Sequence, residues 1–226
     1  RFSRMMPVEN ILIVTSSQYK ELVMEQIPDI LPENILLEPY RRNTAPCVAY
    51  ATYKLLEKNS NASVVVAPSD HLILNEDVFL DTINTALAYA DNHNVLMTLG
   101  INPTRPETAY GYIQANKGTP VSIKGNIAYT VKTFTEKPSQ DLAKIFVESG
   151  EFLWNSGIFI WNLLAIKAEI EQLQPDISGL FQKGKGIYYT PAEDEFIKGV
   201  YEECTSISVD YGIMEKTEKA LVYPAS

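Results

Sequence analysis

The chain has 226 residues, 46% of them hydrophobic, and a formal net charge of −9. That is enough apolar material for a substantial core in one large or two small domains, and the acidic balance argues against the broad basic surface that nucleic-acid binding needs. No apolar run reaches the length of a bilayer span and no basic segment leads into an apolar stretch at the start, so the expectation is a cytoplasmic protein with no membrane partner.

Asn10 to Thr15 reads as a buried strand, followed by a helix over about Gln18 to Ile27 and a second strand over Asn34 to Leu37. Thr44 is the expected N-cap of the next helix, with Pro46 in its first turn and Val48, Ala51, Thr52 and Leu55 on one face. Val64, Val65 and Val66 then read as the central strand of a parallel sheet, stopped at Pro68 because proline removes a ladder donor. Asn75 caps a helix carrying Leu80, Ile83, Leu87 and Ala90 at helical spacing, and Val95 to Leu99 forms the following strand. This alternation predicts right-handed crossovers and a doubly wound sheet over residues 1–102.

From Pro103 prolines, glycines and tyrosines cluster, and Tyr112 to Ala115 and Ile127 to Glu136 read as alternating strands of an antiparallel extension. Ser139 caps a short helix whose apolar face is expected to hold Leu142, Ile145 and Phe146. Trp154 to Asn162 passes through a turn into a strand, and a helix over Leu163 to Gln172 ends before Pro175. Pro191 opens an acidic helix, and Ser206 to Val209 and Ala220 to Tyr223 are expected strands. The cysteines, Cys47 and Cys204, are too few for a disulfide framework and read as reduced thiols; no Cys/His cluster has zinc spacing.

The turn Pro68-Ser69-Asp70-His71 lies past the carboxyl end of a buried strand, where open α/β sheets bind ligands, so Asp70 stands where a metal or phosphate would be met. An ordinary turn in which Asp folds back on backbone amides is the alternative. Glu38 to Pro46 joins a strand end to a helix start and brings Arg41, Arg42, Asn43 and Thr44 beside free helix amides. This is either a polar-ligand site or an N-cap with solvated arginines.

Taken together, Glu38-Pro39 with Arg42-Asn43-Thr44-Ala45-Pro46, then Pro68-Ser69-Asp70-His71, resemble the mannose-1-phosphate guanylyltransferases. The likeness continues through Thr98 to Ile101, Pro103 to Ile113, Phe134 to Pro138, Trp154 to Phe159 and Ser208 to Lys216, in the family's order. The resemblance implies an α/β, Rossmann-like nucleotidyltransferase fold with a mixed, mostly parallel central sheet, flanking helices and an antiparallel sugar-binding extension. Residues 1–102 would form the nucleotide and metal side, and residues 103–226 the sugar-phosphate side, of a single incomplete domain.

The implied reaction joins GTP and mannose 1-phosphate into GDP-mannose and pyrophosphate, a nucleotidyl transfer that needs charge neutralisation and in-line positioning. Carried over from the family, Asp70 is the Mg²⁺ ligand, and Asp70 and Lys137 are the catalytic pair. Asn43, Thr44, Pro68 and Ser69 would lie at the nucleotide, and Tyr110, Gly111, Glu136, Lys137, Asn155 and Asp210 at the sugar phosphate. The chemistry agrees: glycine at 111 permits close backbone approach, the Glu136 carboxylate accepts from sugar hydroxyls, and the Lys137 ammonium meets a phosphate. Trp154 and Phe159 read as core. Arg105 and Glu107 can pair with each other.

The family's glycine-rich phosphate segment and a later metal aspartate are not in this sequence, so the chain is expected to be part of a longer protein and inactive by itself. Two other readings stand beside the enzyme: a noncatalytic sugar-nucleotide-binding regulatory subunit and, more weakly, a metal-dependent glycosyltransferase. A homodimer is the assembly left open.

Overall fold

The computed structural model describes residues 1–225. In chain order its elements are β1 (Ile13–Ser16), α1 (Lys20–Gln26), β2 (Ile35–Glu38), α2 (Thr44–Leu56), β3 (Ser63–Val66), α3 (Glu76–Ala90), β4 (Leu96–Ile101) and β5 (Tyr112–Ile123). There follow β6 (Asn126–Thr135), α4 (Gln140–Ser149), β7 (Phe152–Asn162), α5 (Leu163–Leu173), α6 (Pro175–Gln182), α7 (Glu193–Glu203) and β8 (Ala220–Ala225). The α/β class, the mixed sheet and the antiparallel extension all accord with expectation.

The described residues pack as two compact units, one of residues 1–60 and 167–212, the other of residues 61–166 and 213–225. The strands of the stretch expected to form one doubly wound sheet fall in both units, β1 and β2 in the first and β3 and β4 in the second. In the first unit β1 and β2 pair in parallel through the α1 crossover, with Ile13 opposite Ile35 and Val14 opposite Leu36. Helix α2 begins one residue away from expectation: Asn43, not Thr44, is the N-cap, and its Oδ1 accepts from the Thr44 N–H at 2.9 Å. Thr44 is used differently, its Oγ1 accepting from the Val209 N–H at 2.8 Å while the Ala45 N–H donates to the Ile207 carbonyl. Ser206 to Ser208 accordingly run as coil and Val209 is already helical, leading into the turn Asp210–Met214, so the expected strand there does not form.

Helix α2 buries Val48, Ala49, Tyr50, Thr52, Tyr53 and Lys54, a wider face than the sequence stripe because α6, absent from the sequence reading, packs against it. Phe181 of α6 stacks on Tyr50 and Tyr53 and meets Tyr201 of α7 edge-on. Burial pushes the Cys47 thiol up to about 12, with Glu38 adding to the shift, and pushes Cys204 up to about 11. Both are free thiols, as expected, and both are thereby poor nucleophiles.

The second unit is built on a six-stranded sheet in the order β3-β7-β4-β8-β6-β5. Strands β4 and β8 pair in parallel, and β3 shares their direction across β7, which runs antiparallel to both β3 and β4. The Val64 strand is therefore at the edge of this sheet and not its centre. Its valines lie opposite Trp161, Ile160 and Phe159 and remain half-buried. A run of β-branched residues reports a strand but cannot distinguish edge from interior once a long strand such as β7 is interleaved. Both faces of this sheet are buried: Met97 and Ile160 lie opposite one another on one face and their neighbours Leu96 and Trp161 on the other, all at 0% exposure, as are Ile83, Ala86 and Ala90 of α3, while Val222 packs with Ile113, Ala115 and Leu153. Each large aliphatic side chain so placed contributes about 1.5–3 kcal/mol.

Asn75 caps α3 as expected, its Oδ1 accepting from the Val78 N–H. Ser139 likewise caps α4. The face of α4 differs from expectation: Leu142 and Ile145 are exposed, at 45% and 58%, and the helix instead buries Ala143 with Phe146 and Val147 packed beside it. The stack of Phe146 on Phe152, 4.0 Å between centroids, fixes that rotation. Among the described residues no helix is long and apolar enough to cross a membrane.

Candidate functional site

In the second unit the residues of the Tyr110, Glu136 and Asn155 blocks converge through the ends of β5, β6 and β7. The Asn155 N–H donates to the Gly111 carbonyl at 2.8 Å, and the Lys137 N–H donates to the Tyr110 carbonyl at 3.3 Å. Sequence positions 110–111, 136–137 and 155 are thus joined through their backbones. Gly111 is fully buried between Glu136, Asn155 and Phe134, and a Cβ there would run into the Glu136 carboxylate. The Lys137 ammonium lies 3.7 Å from Glu136 Oε1, with the lysine side chain 64% exposed and the carboxylate only 14%. An exposed cation beside a sheltered carboxylate offers a point charge at the rim and hydrogen-bond acceptors within.

Lys137 also carries the backbone cost of this arrangement. Its φ is 48°, in the left-handed region, and it precedes Pro138, which further disfavours helical backbone. The bend sends the main chain from β6 into the α4 cap within a few residues.

The loop carrying Tyr110 and Gly111 is wired from within. Glu107 Oε1 accepts from the Thr108 and Ala109 N–H groups, and the Glu107 N–H donates to the hydroxyl of the fully buried Tyr112. The Ala109 N–H, then Arg105 and the Thr108 N–H, hold the Glu107 carboxyl below the usual carboxylate range. Arg105 pairs with Glu107 at 3.3 Å, as the sequence allowed, and its guanidinium lies over Trp154 at 5.6 Å. Tyr110 meets Trp154 edge-on at 5.2 Å. Trp154 and Phe159 are buried, at 8% and 3%, and serve as floor and core rather than stacking platforms.

Asp70 and Ser69 are exposed on the turn that follows β3, outside that hydrogen-bond set, and Pro68 packs toward Gly157. Among the described residues no group of three or more His, Cys, Asp or Glu side chains forms a metal cluster. A lone outward carboxylate still suits Mg²⁺, which keeps several waters and takes one or two carboxylates together with substrate phosphates.

Asn43, Thr44 and Asp210 belong to the first unit. There the Thr44 hydroxyl is bound to the Val209 N–H, so the residue before Asp210 is tied to the start of α2. Arg42 is not a solvated charge: its Nε and Nη2 donate to the carbonyls of Tyr201 and Glu202 in the last turn of α7, where a cation also complements the helix dipole.

Gly111→Ala provides a direct check on the cluster in the second unit. The added methyl displaces the far end of a flexible side chain, so the fold is expected to survive with little loss of Tm. The displaced group is the Glu136 carboxylate, however, and a ligand held through that carboxylate is expected to bind roughly tenfold more weakly, the effect of one lost charge-assisted hydrogen bond. Steady-state kinetics alongside thermal melting separate the two effects.

A nucleotidyl transferase family model matches residues 2–189. The chain is 37% identical over 216 residues to mannose-1-phosphate guanylyltransferase of Escherichia coli, with 93% of the chain and 45% of that protein covered. It is 38% identical over 225 residues to mannose-1-phosphate guanylyltransferase RfbM of Salmonella typhimurium, covering 96% of the chain and 45% of that protein. The chain thus spans less than half the length of these curated relatives. Among solved structures, one described as mannose-1-phosphate geranyltransferase from Thermus thermophilus superposes with a TM-score of 0.84 at 27% identity, covering 99% of this chain and 61% of that one. Family model, relatives and fold agree, and the chain belongs to the nucleotidyl transferase family.

Proposed function

We propose that the protein containing this chain is a mannose-1-phosphate guanylyltransferase. A phosphate oxygen of mannose 1-phosphate attacks the α-phosphorus of GTP; the new P–O bond forms as the bond to pyrophosphate breaks, giving GDP-mannose. The observation that carries this reading is the convergence of Gly111, Glu136, Lys137 and Asn155 on one end of the sheet, in a chain whose relatives bear that name.

In this reading Glu136 accepts from two hydroxyls of the hexose, and Asn155 and the backbone at Tyr110 and Gly111 fix its position. Lys137 meets the sugar phosphate as a point charge at the rim. Asp70 is the Mg²⁺ ligand. When bound, the ion would neutralise phosphate charge as pyrophosphate leaves. Asn43 and Thr44, at the start of α2, with Pro68 and Ser69, attend the nucleotide, and Asp210 the sugar. The work of the chain is positioning, consistent with a phosphoryl-type transfer in which little covalent chemistry falls to the protein.

The test is pyrophosphate release by the full-length protein supplied with GTP and mannose 1-phosphate. Turnover that requires both substrates and prefers GTP over other nucleoside triphosphates is expected. GDP-mannose binding by calorimetry without turnover by any nucleotide would replace the enzyme with a regulatory sugar-nucleotide binder.

A further inference from the structure

A cavity of about 470 Å³ lies within the first unit, lined by side chains of β2, α2 and the turn that leads into α7. Its volume falls in the range of small-molecule sites. None of its lining residues has been given a part in the transfer above. Ile35 and Leu37 form an apolar wall, and the polar groups around it divide into two kinds.

The first kind is donors. Of the three lysines that line the cavity, Lys54 is neutralised by Glu193, 2.6 Å away, with both side chains buried. The other two keep their charge: among the described residues Lys20, half-buried at the start of α1, has no ion-pair or hydrogen-bond partner, and the Lys58 ammonium has only the Tyr189 ring, 4.1 Å from its centroid. The Tyr189 hydroxyl likewise has no partner among the described residues. Burial, then the charges of Glu193 and Glu57, push that phenol up to about 12, so it keeps its proton and donates. Tyr189 takes this place in left-handed backbone, φ 63°, and the bond from its N–H to Glu193 Oε2 holds it there. Strain of this kind in a non-glycine residue, at the wall of a cavity, points to a use for the side chain.

The second kind is acceptors. Glu33 and Asp194 are exposed where they line the cavity, and neither pairs with Lys20 or Lys58. The nearby Glu57 carboxylate accepts from the Gly186 N–H at 3.3 Å. Two ammoniums and a phenol suit a phosphate, which each ammonium meets as a point charge; two carboxylates suit hydroxyls that donate to them.

We propose that this cavity is a ligand site for a phosphorylated sugar or polyol: Lys20 and Lys58 hold the phosphate with Tyr189 donating to it, Glu33 and Asp194 accept from the hydroxyls, and the carbon skeleton packs on Ile35 and Leu37.

The test uses the full-length protein with glucose 6-phosphate, inorganic phosphate and glucose as probes. Glucose 6-phosphate has no phosphate at its anomeric carbon and so cannot replace the substrate of the proposed transfer. Calorimetry is expected to show binding of glucose 6-phosphate, weaker binding of inorganic phosphate and none of glucose. Lys20→Met and Lys58→Met should each weaken glucose 6-phosphate about tenfold, the effect of one lost charge-assisted contact, with kcat for pyrophosphate release within about twofold of wild type. Glu33→Gln should weaken glucose 6-phosphate and leave inorganic phosphate unchanged. A second measurement needs no variant: glucose 6-phosphate should slow acetylation of Lys20 and Lys58 by an amine-reactive ester severalfold, read by mass spectrometry, while Lys132, exposed in the second unit, is labelled as before. Unchanged affinity in both lysine variants, or unprotected Lys20 and Lys58 at saturating probe, would overturn the site, as would binding of neither phosphate probe. Inorganic phosphate binding as tightly as glucose 6-phosphate would overturn the sugar assignment.

Discussion

Asp70→Asn in the full-length protein is expected to lower kcat for pyrophosphate release by at least about a hundredfold, while Tm stays within about 2 °C of wild type. The stability half follows from the location: Asp70 is exposed on the turn after β3, and an isosteric change on such a turn disturbs no packing. The activity half follows from charge. Replacing a carboxylate with a neutral amide removes the negative charge that would hold a hard divalent cation against the phosphates, and metal chemistry of this kind is worth several kcal/mol in the transition state. A second readout is the Mg²⁺ concentration giving half-maximal rate, which should rise severalfold in the variant. Wild-type kcat with an unchanged Mg²⁺ requirement would remove Asp70 from the metal site, without touching the Gly111, Glu136 and Asn155 cluster on which the Gly111→Ala outcome depends.

Much of the fold is legible in local chemistry. Asn75 and Ser139 cap their helices because their side-chain oxygens reach N–H groups three residues on, a signal contained within four residues. The backbone convergence of the Tyr110, Glu136 and Asn155 blocks is not legible from spacing, since the bonds join residues 44 and 27 positions apart; only the resemblance grouped them. Thr98 did leave a sequence signal, a lone hydroxyl inside Leu96-Met97-Thr98-Leu99, which marks a buried polar group that must be satisfied. The sequence reading failed where tertiary packing overrode a local pattern. Leu142 and Ile145 satisfy helical spacing as well as Phe146 does, but the aromatic stack on Phe152 determines which side faces inward. Arg42 read as solvated because its acceptors, the carbonyls of α7, are 159 and 160 residues away.

Glu193 is the sharpest such case, and it carries the largest expected effect on stability. In sequence it opens the acidic run Glu193-Asp194-Glu195, which suits a solvated helix start; in the structure it is 5% exposed. Its Oε1 takes the Lys54 ammonium and the Tyr50 hydroxyl, each at 2.6 Å, and its Oε2 takes the Tyr189 N–H at 2.6 Å. Tyr189 sits in left-handed backbone, φ 63°, with the ammonium groups of Lys54 and Lys58 over its ring at 4.4 and 4.1 Å. One carboxylate therefore neutralises a buried cation, satisfies a buried phenol and pins a strained turn. Glu193→Ala strands all three, and breaking a buried pair from one side costs about 3–5 kcal/mol. Lys54→Met should cost less: it leaves Glu193 its two remaining donors at the positively polarised start of α7, and a methionine of similar length fills the space. The expected order of Tm is wild type, then Lys54→Met, then Glu193→Ala, the last lower than wild type by on the order of 10 °C. Hydrogen exchange should assign the loss to the amides of α2 and α7. Equal losses in the two variants would show that the ion pair alone, and not the threefold use of the carboxylate, carries the stability of this unit.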